Sequence, residues 1–191
     1  MPIGIKPDRL QQLHESALSY DDYLAVAPER AEPWLKNDER IQLTQDQQTL
    51  LAGFIREMHV LVLSGVWCGD CSSQGPMLAA IASASSTIDL RWLDRDNAKD
   101  LSAHLAINAG HRVPIVLFMA EDFEPVSVMG DRTLTRYRSM AAKNFGASCN
   151  IPRALIPEDE YSDTLQDWLN EFERVQLLLR LSDRLRQKHG D

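Results

Sequence analysis

No apolar run in this chain approaches the roughly 18 residues that a membrane-crossing helix needs. The opening residues, MPIGIKPDRLQQLHESAL, lack the basic stretch and unbroken apolar core of a secretory leader. Both absences lead us to expect a cytoplasmic protein with no membrane partner. Basic residues are in deficit, 20 Lys and Arg against 28 Asp and Glu, for a formal charge of −8. That balance gives no global footprint for nucleic acid or anionic lipid. Cysteine is scarce. Cys68, Cys71 and Cys149 are the only three in 191 residues, too few for a disulfide framework. They leave one close pair and one single residue. No repeat and no low-complexity tract interrupts the chain.

What is there suits a folded domain. Hydrophobic residues make up 44% and charged residues 25%, enough for an ordinary buried core. Residues 1–43 read as a helical, irregular N-terminal extension. Leu10, Leu13 and Ala17 form a weak helical stripe, and Ser19 with Asp22 resembles a capping box for a short helix through Tyr23 and Leu24. Pro28 and Pro33 then break the chain. Thr44 and Gln47 form a second capping box, followed by Leu50, Leu51, Phe54, Ile55 and Met58 on one helical face. His59 to Ser64 is a short apolar run that fits a buried strand. Pro76 sits inside the helix that Met77, Leu78 and Ile81 suggest. Ile88, Leu90 and Trp92 alternate as a half-buried strand does. Asn97 and Asp100 can cap a helix through Leu101 and Leu105 that Gly110 ends. Pro114 to Met119 is a further strand, a turn occupies 120–125, and Val126 to Met129 returns antiparallel. Asp131 is placed to cap a helix carrying Leu134 and Tyr137.

The order over 44–143 is α-β-α-β-α-β-β-α. The fold class is therefore α/β, with a mostly parallel central sheet, helices on both faces and a hairpin that makes one edge mixed. Residues 144–191 read as a helical C-terminal extension of the same single domain. Leu165, Trp168, Leu169, Phe172 and Val175 share one of its faces. Seven acids and no base occupy 158–173, while Arg174, Arg180, Arg184, Arg186 and Lys188 load the far end, an order that complements a helix dipole. LLLRL at 177–181 exceeds one narrow stripe and suggests a homodimer through this helix.

The chemistry is carried by Cys68-Gly69-Asp70-Cys71, directly after a buried strand and at the start of a helix. Disulfide exchange needs two thiols close enough to bridge, one of them ionised. One helical turn brings the sulfurs together. The unpaired N–H groups and positive dipole end of that turn stabilise a Cys68 thiolate. Cys71, one turn in, is the more shielded partner. Zinc binding and a purely structural pair are the competing readings of such a spacing. With Cys68, Cys71 and His111 the only clustered candidates, no metal site is expected.

From Gly65 to Leu78, GVWCGDCSSQGPML, the chain resembles the thioredoxin family. Trp67, Cys68, Gly69, Cys71 and Pro76 fit the family pattern of Trp-Cys-Gly-Pro-Cys with a helix proline five residues on. Val113-Pro114 lies where the family places a cis-proline facing the disulfide, and Gly130 matches a family glycine. The resemblance covers 44–143. It implies a thioredoxin-like fold and thiol–disulfide oxidoreductase activity, with Cys68 attacking and Cys71 resolving. Gly69 and Asp70 would set the turn and the redox poise, and Trp67, Val113 and Pro114 would form the substrate-docking surface. The expected partners are a protein disulfide substrate and an upstream thiol reductant, with no bound cofactor. A non-catalytic adaptor or redox-sensing binding protein is the alternative.

Three positions depart from the family pattern. Asp70 replaces the usual proline, and a carboxylate there disfavours the Cys68 thiolate, which would make the dithiol a better reductant. Val62 stands where the family commonly buries an aspartate, so proton transfer at Cys71 needs another group, with His111 a candidate. Ser64 replaces a common tryptophan. Cys149, outside the resemblance, reads as a small buried filler.

Overall fold

The computed structural model describes residues 4–145 and 157–191. Four strands make one sheet: β1 (Met58–Ser64), β2 (Ile88–Asp94), β3 (Ile115–Ala120) and β4 (Pro125–Gly130), in the order β2-β1-β3-β4. β1 runs parallel to β2 and antiparallel to β3, and β3 and β4 form an antiparallel hairpin. The sheet is mixed, as the hairpin implied, but only one of its three pairings is parallel. The reason lies in the connection after β2. A seven-residue strand spans about 23 Å, whereas the six residues of α6 (Lys99–His104) rise only about 9 Å. The chain therefore never recrosses the sheet before β3, and β3 starts at the end where β2 stopped.

Every residue of β1 and β3 is buried, which requires cover on both faces. Helices supply it: α1 (Pro7–Glu15), α2 (Tyr20–Ala25), α3 (Glu32–Asp38), α4 (Gln45–Ala52), α5 (Gly69–Ser83), α6, α7 (Leu134–Phe145), α8 (Glu160–Leu181) and α9 (Asp183–His189). Local signals explain several boundaries. Ser19 accepts from the Asp22 N–H at the start of α2, and Thr44 and Gln47 form a reciprocal capping box on α4. Pro33 does not break the chain. It occupies the first turn of α3, where its missing N–H costs nothing. α4 ends at Ala52, so Ile55 is left exposed and Met58 opens β1 instead of extending the helical face. Neither Asn97 nor Asp100 caps α6, and Gly110 belongs to a tight bridge with Ile107 rather than to the helix end. Asp131 is not the cap of α7. The Arg136 N–H bonds the Thr133 hydroxyl, and Asp131 is taken up by ion pairs described below.

One hydrophobic cluster runs through all three sequence segments, from Leu10, Tyr23 and Trp34 through the strands to Trp168, Phe172 and Leu185. Trp34 lies on Gly75 of α5 so closely that a Cβ there would come within 2.1 Å of its ring. Its indole N–H donates to the Val66 carbonyl at 3.0 Å, fixing the loop that leads to Cys68. Tyr23 stacks on Trp92 with ring centroids 5.6 Å apart, and Leu18 forms an antiparallel bridge with Trp92. α8 docks through Trp168, whose N–H reaches the fully buried Gln74 side chain on α5 at 3.2 Å. Leu177, Leu178 and Leu181 remain exposed on α8, the same stretch that raised helix pairing from sequence.

Candidate active site

Cys68 is the N-cap of α5, with extended backbone angles, and Cys71 lies in the first turn. The geometry follows from residue order: β1 ends at Ser64, Gly65 lets the Trp67 ring fold against its backbone, and the Cys68 N–H closes a turn onto the Gly65 carbonyl at 2.9 Å. Both cysteines are free thiols, Cys68 half-buried and Cys71 fully buried. Their acidities diverge. Cys68 is lowered from the ordinary thiol value to about 6, chiefly because Cys71 hydrogen-bonds its sulfur, with backbone N–H groups of Cys71 and Asp70 adding to the effect against partial burial. Burial, reinforced by the proton that Cys71 donates to Cys68, pushes Cys71 far above the thiol range.

The Val113–Pro114 peptide bond is cis, and Val113 and Pro114 are buried just before β3. The Val113 carbonyl oxygen is 3.6 Å from Cys68 Sγ, so this loop faces the half-buried sulfur. Gly130 lies beside the same loop. Its φ is +154°, and a Cβ there would meet the Pro114 carbonyl oxygen at 2.4 Å, so only glycine fits. Trp67 is 43% exposed, with the Arg95 guanidinium 4.6 Å above its ring. Cys68 thus lies between the exposed Trp67 ring, its neighbour in the chain, and the buried Val113-Pro114 loop.

Gly69 has no conformational demand: its backbone is not left-handed, and an added Cβ would meet nothing within 4 Å. Asp70 is more constrained than its position between the cysteines suggested. Its carboxylate pairs with Arg132 and with Arg136, the latter at 2.8 Å. It opposes the Cys68 thiolate, as expected, but as the smallest of the resolved influences, and the net effect on Cys68 is a lowered pKa. The direction of the Asp70 influence is the one its charge implies, and the hydrogen bonds from Cys71 and the helix start outweigh it. Arg132 also reaches Asp131 at 3.3 Å, and Asp131 holds Arg112 at 3.1 Å and the Tyr137 hydroxyl. This chain of charges ties the dithiol turn to the residue preceding Val113. No local pattern marks it, because the links that join its three segments span 19 positions from Arg112 to Asp131 and 62 and 66 from Asp70 to Arg132 and Arg136.

His111 points elsewhere. Its Nδ1 is 3.0 Å from the Ser102 hydroxyl on α6, and its carbonyl accepts from Arg95. Val62 is fully buried and apolar, so the usual aspartate position offers no proton acceptor. Among the described residues, Ser64 and Tyr23 bring hydroxyls toward Cys71, a part not assigned to either from the sequence. Both hydroxyls are buried without a hydrogen-bond partner, and that of Ser64 favours the ionised forms of Cys71 and Tyr23. Burial raises the Tyr23 pKa well above the phenol range. Only the position of Ser64, four residues before Cys68 on a buried strand, signalled its part. Cys149 lies outside the described residues.

A family model described as Thioredoxin matches residues 17–144, which includes α2 and α3 upstream of the sequence motif, and this chain belongs to that family. Among solved structures it is similar to a protein of unknown function from Pseudomonas aeruginosa: 18% identity over 83% of this chain and 96% of that one, with a TM-score of 0.62. An HIV epitope-scaffold matches at 18% identity over 84% and 97%, with a TM-score of 0.60. Both share the fold. No curated protein matches. Among the described residues, no helix is long and apolar enough to cross a membrane.

Proposed function

We propose that this protein is a thiol–disulfide oxidoreductase that reduces protein disulfides through Cys68 and Cys71. The observation that carries this reading is the divided character of the pair: a half-exposed, acidic Cys68 beside a buried, protonated Cys71. The Cys68 thiolate attacks one sulfur of a substrate disulfide. A Cys68–substrate bond forms, the substrate S–S bond breaks, and the leaving thiolate takes a proton from solvent. Cys71 then gives up its proton to solvent and attacks Cys68 Sγ. The mixed disulfide breaks, the second substrate thiolate leaves, and a Cys68–Cys71 disulfide remains. Two electrons have passed from dithiol to substrate, and an upstream thiol reductant restores them.

The Val113 carbonyl and the exposed Trp67 ring offer an extended substrate segment a backbone acceptor and an apolar contact. Ser64 supports proton departure from Cys71, since its hydroxyl favours the Cys71 thiolate against burial. The experiment is multiple-turnover reduction of insulin disulfides with dithiothreitol as electron source. Wild-type protein is expected to accelerate it, Cys68→Ser to abolish the acceleration, and Cys71→Ser to accumulate a mixed disulfide. Stoichiometric binding without turnover would replace the reading with an adaptor.

A further inference from the structure

At the amino end of β1, away from the cysteines, three ligating side chains from three elements converge. His59 lies on β1, Asp89 is its register partner on β2, and His14 comes from the last turn of α1. One ring nitrogen of each histidine and one oxygen of Asp89 all lie within 4.8 Å of one another. His14 is 3% exposed and His59 9%. The two rings meet edge to face at 5.0 Å, and Phe123 stacks flat on His59 at 4.1 Å.

Protein hydrogen bonds leave this cluster incomplete. His59 Nδ1 is buried without a partner. The nearest carboxylate oxygen, Asp89 Oδ2, is 3.9 Å away, too far for a hydrogen bond. An orphaned buried nitrogen of this kind costs about 1–3 kcal/mol, so its retention calls for another partner. A bridging cation fits, because two bonds of about 2.0–2.1 Å to nitrogen and oxygen can cover a gap of that size. The surrounding contacts suit one. Arg91 holds Asp89 Oδ1 at 2.8 Å and leaves Oδ2 unengaged, which fixes the carboxylate as an outer-shell partner does. His14 Nε2 is 3.0 Å from the Asp89 carbonyl oxygen, a tie that fixes its tautomer and ring plane. Against the site stands the positive charge of Arg91, which its bond to Asp89 offsets.

We propose that His14, His59 and Asp89 form a binding site for a divalent transition-metal ion, Zn2+ in particular, which fastens α1 to the sheet. Two imidazoles and one carboxylate favour zinc over magnesium or calcium, which take all-oxygen sets. Asp89 is 41% exposed in its side chain, so a fourth position is open to water on that side.

The test uses full-length protein with Cys68→Ser, Cys71→Ser and Cys149→Ser, which removes every competing thiol. Zinc chloride is titrated calorimetrically, and melting is followed by circular dichroism with and without zinc. One equivalent is expected to bind and to raise the melting temperature. Asp89→Asn and His59→Ala are each expected to weaken binding about tenfold or more. Asp89 is half-exposed, so its variant remains informative if His59→Ala unfolds. No binding at micromolar free zinc, or equal binding in Asp89→Asn and the parent, would overturn the proposal.

Discussion

The two ends of β1 make an instructive contrast. Each places a buried polar atom without a full hydrogen-bond partner, Ser64 Oγ at the carboxyl end and His59 Nδ1 at the amino end. Side chains alternate along a strand, so residues 59 and 64 also face opposite sides of the sheet. At the carboxyl end the neighbours are a thiol and a phenol, and the strand runs into a helix N-terminus that favours negative sulfur. At the amino end they are an imidazole and a carboxylate, donors suited to holding a cation. A strand buried on both faces keeps such groups at a cost. What each end can do follows from the atoms that neighbouring elements bring to it.

Removing the sulfur at the carboxyl end has the largest expected effect. Cys68→Ser should lower disulfide turnover by at least about 10³-fold, since a hydroxyl is no substitute for a thiolate nucleophile; residual turnover above a tenth of wild type would break the assignment. Gly75→Ala comes next. Its new methyl must displace the Trp34 ring, and such overpacking costs about 1–3 kcal/mol, readable as a lower urea midpoint. The Val66 loop should loosen with it, so turnover should fall while His59 and Asp89 are undisturbed. Ser64→Ala removes the hydroxyl that favours the Cys71 thiolate, so it should slow the resolving step by about threefold and lengthen the life of the mixed disulfide in stopped-flow traces. An unchanged resolving rate would remove Ser64 from the proton path. Asp70→Asn should lower the Cys68 pKa below about 6, as a carboxylate is lost while Arg132, still paired with Asp131, and Arg136, still paired with Glu160, remain beside the turn. A raised pKa would show that the ion pairs matter only for geometry.

Much of this was legible in the sequence where the signal is local. The Thr44–Gln47 box, the Ser19 cap, the apolar runs of β1 and β3 and the amphipathic face of α8 all rest on neighbours within a turn or two. So does the placement of Cys68 and Cys71 at a strand-to-helix junction. Long-range features were hidden. The direction of β3 depends on how far the short α6 travels. α3 follows Pro28 and carries Pro33 in its first turn, two prolines that look like breakers in the sequence. The ionic chain from Asp70 through Arg132 and Asp131 to Arg112, the Tyr23–Ser64 pair and the His14–His59–Asp89 cluster each join residues far apart in sequence, so no local pattern marks them.

The acidity of Cys68 also sets the expected pH behaviour. Its pKa is depressed in the folded protein, so it contributes stability to the reduced form that is complete above the ordinary thiol value of 9.0 and is lost as pH falls through about 6. Stabilising the reduced form also raises the potential. The pair should lie between thioredoxin at about −270 mV and the strong oxidant DsbA at about −120 mV, nearer the former.

The divided character of the two thiols is tested most directly by titrating thiolate absorbance at 240 nm in reduced Cys149→Ser protein, paired with the pH dependence of iodoacetamide alkylation at Cys68. The account predicts one thiolate appearing with a midpoint near 6, alkylation following it, and a second thiol still protonated at alkaline pH. Two thiols ionising together near 9.0 would contradict it.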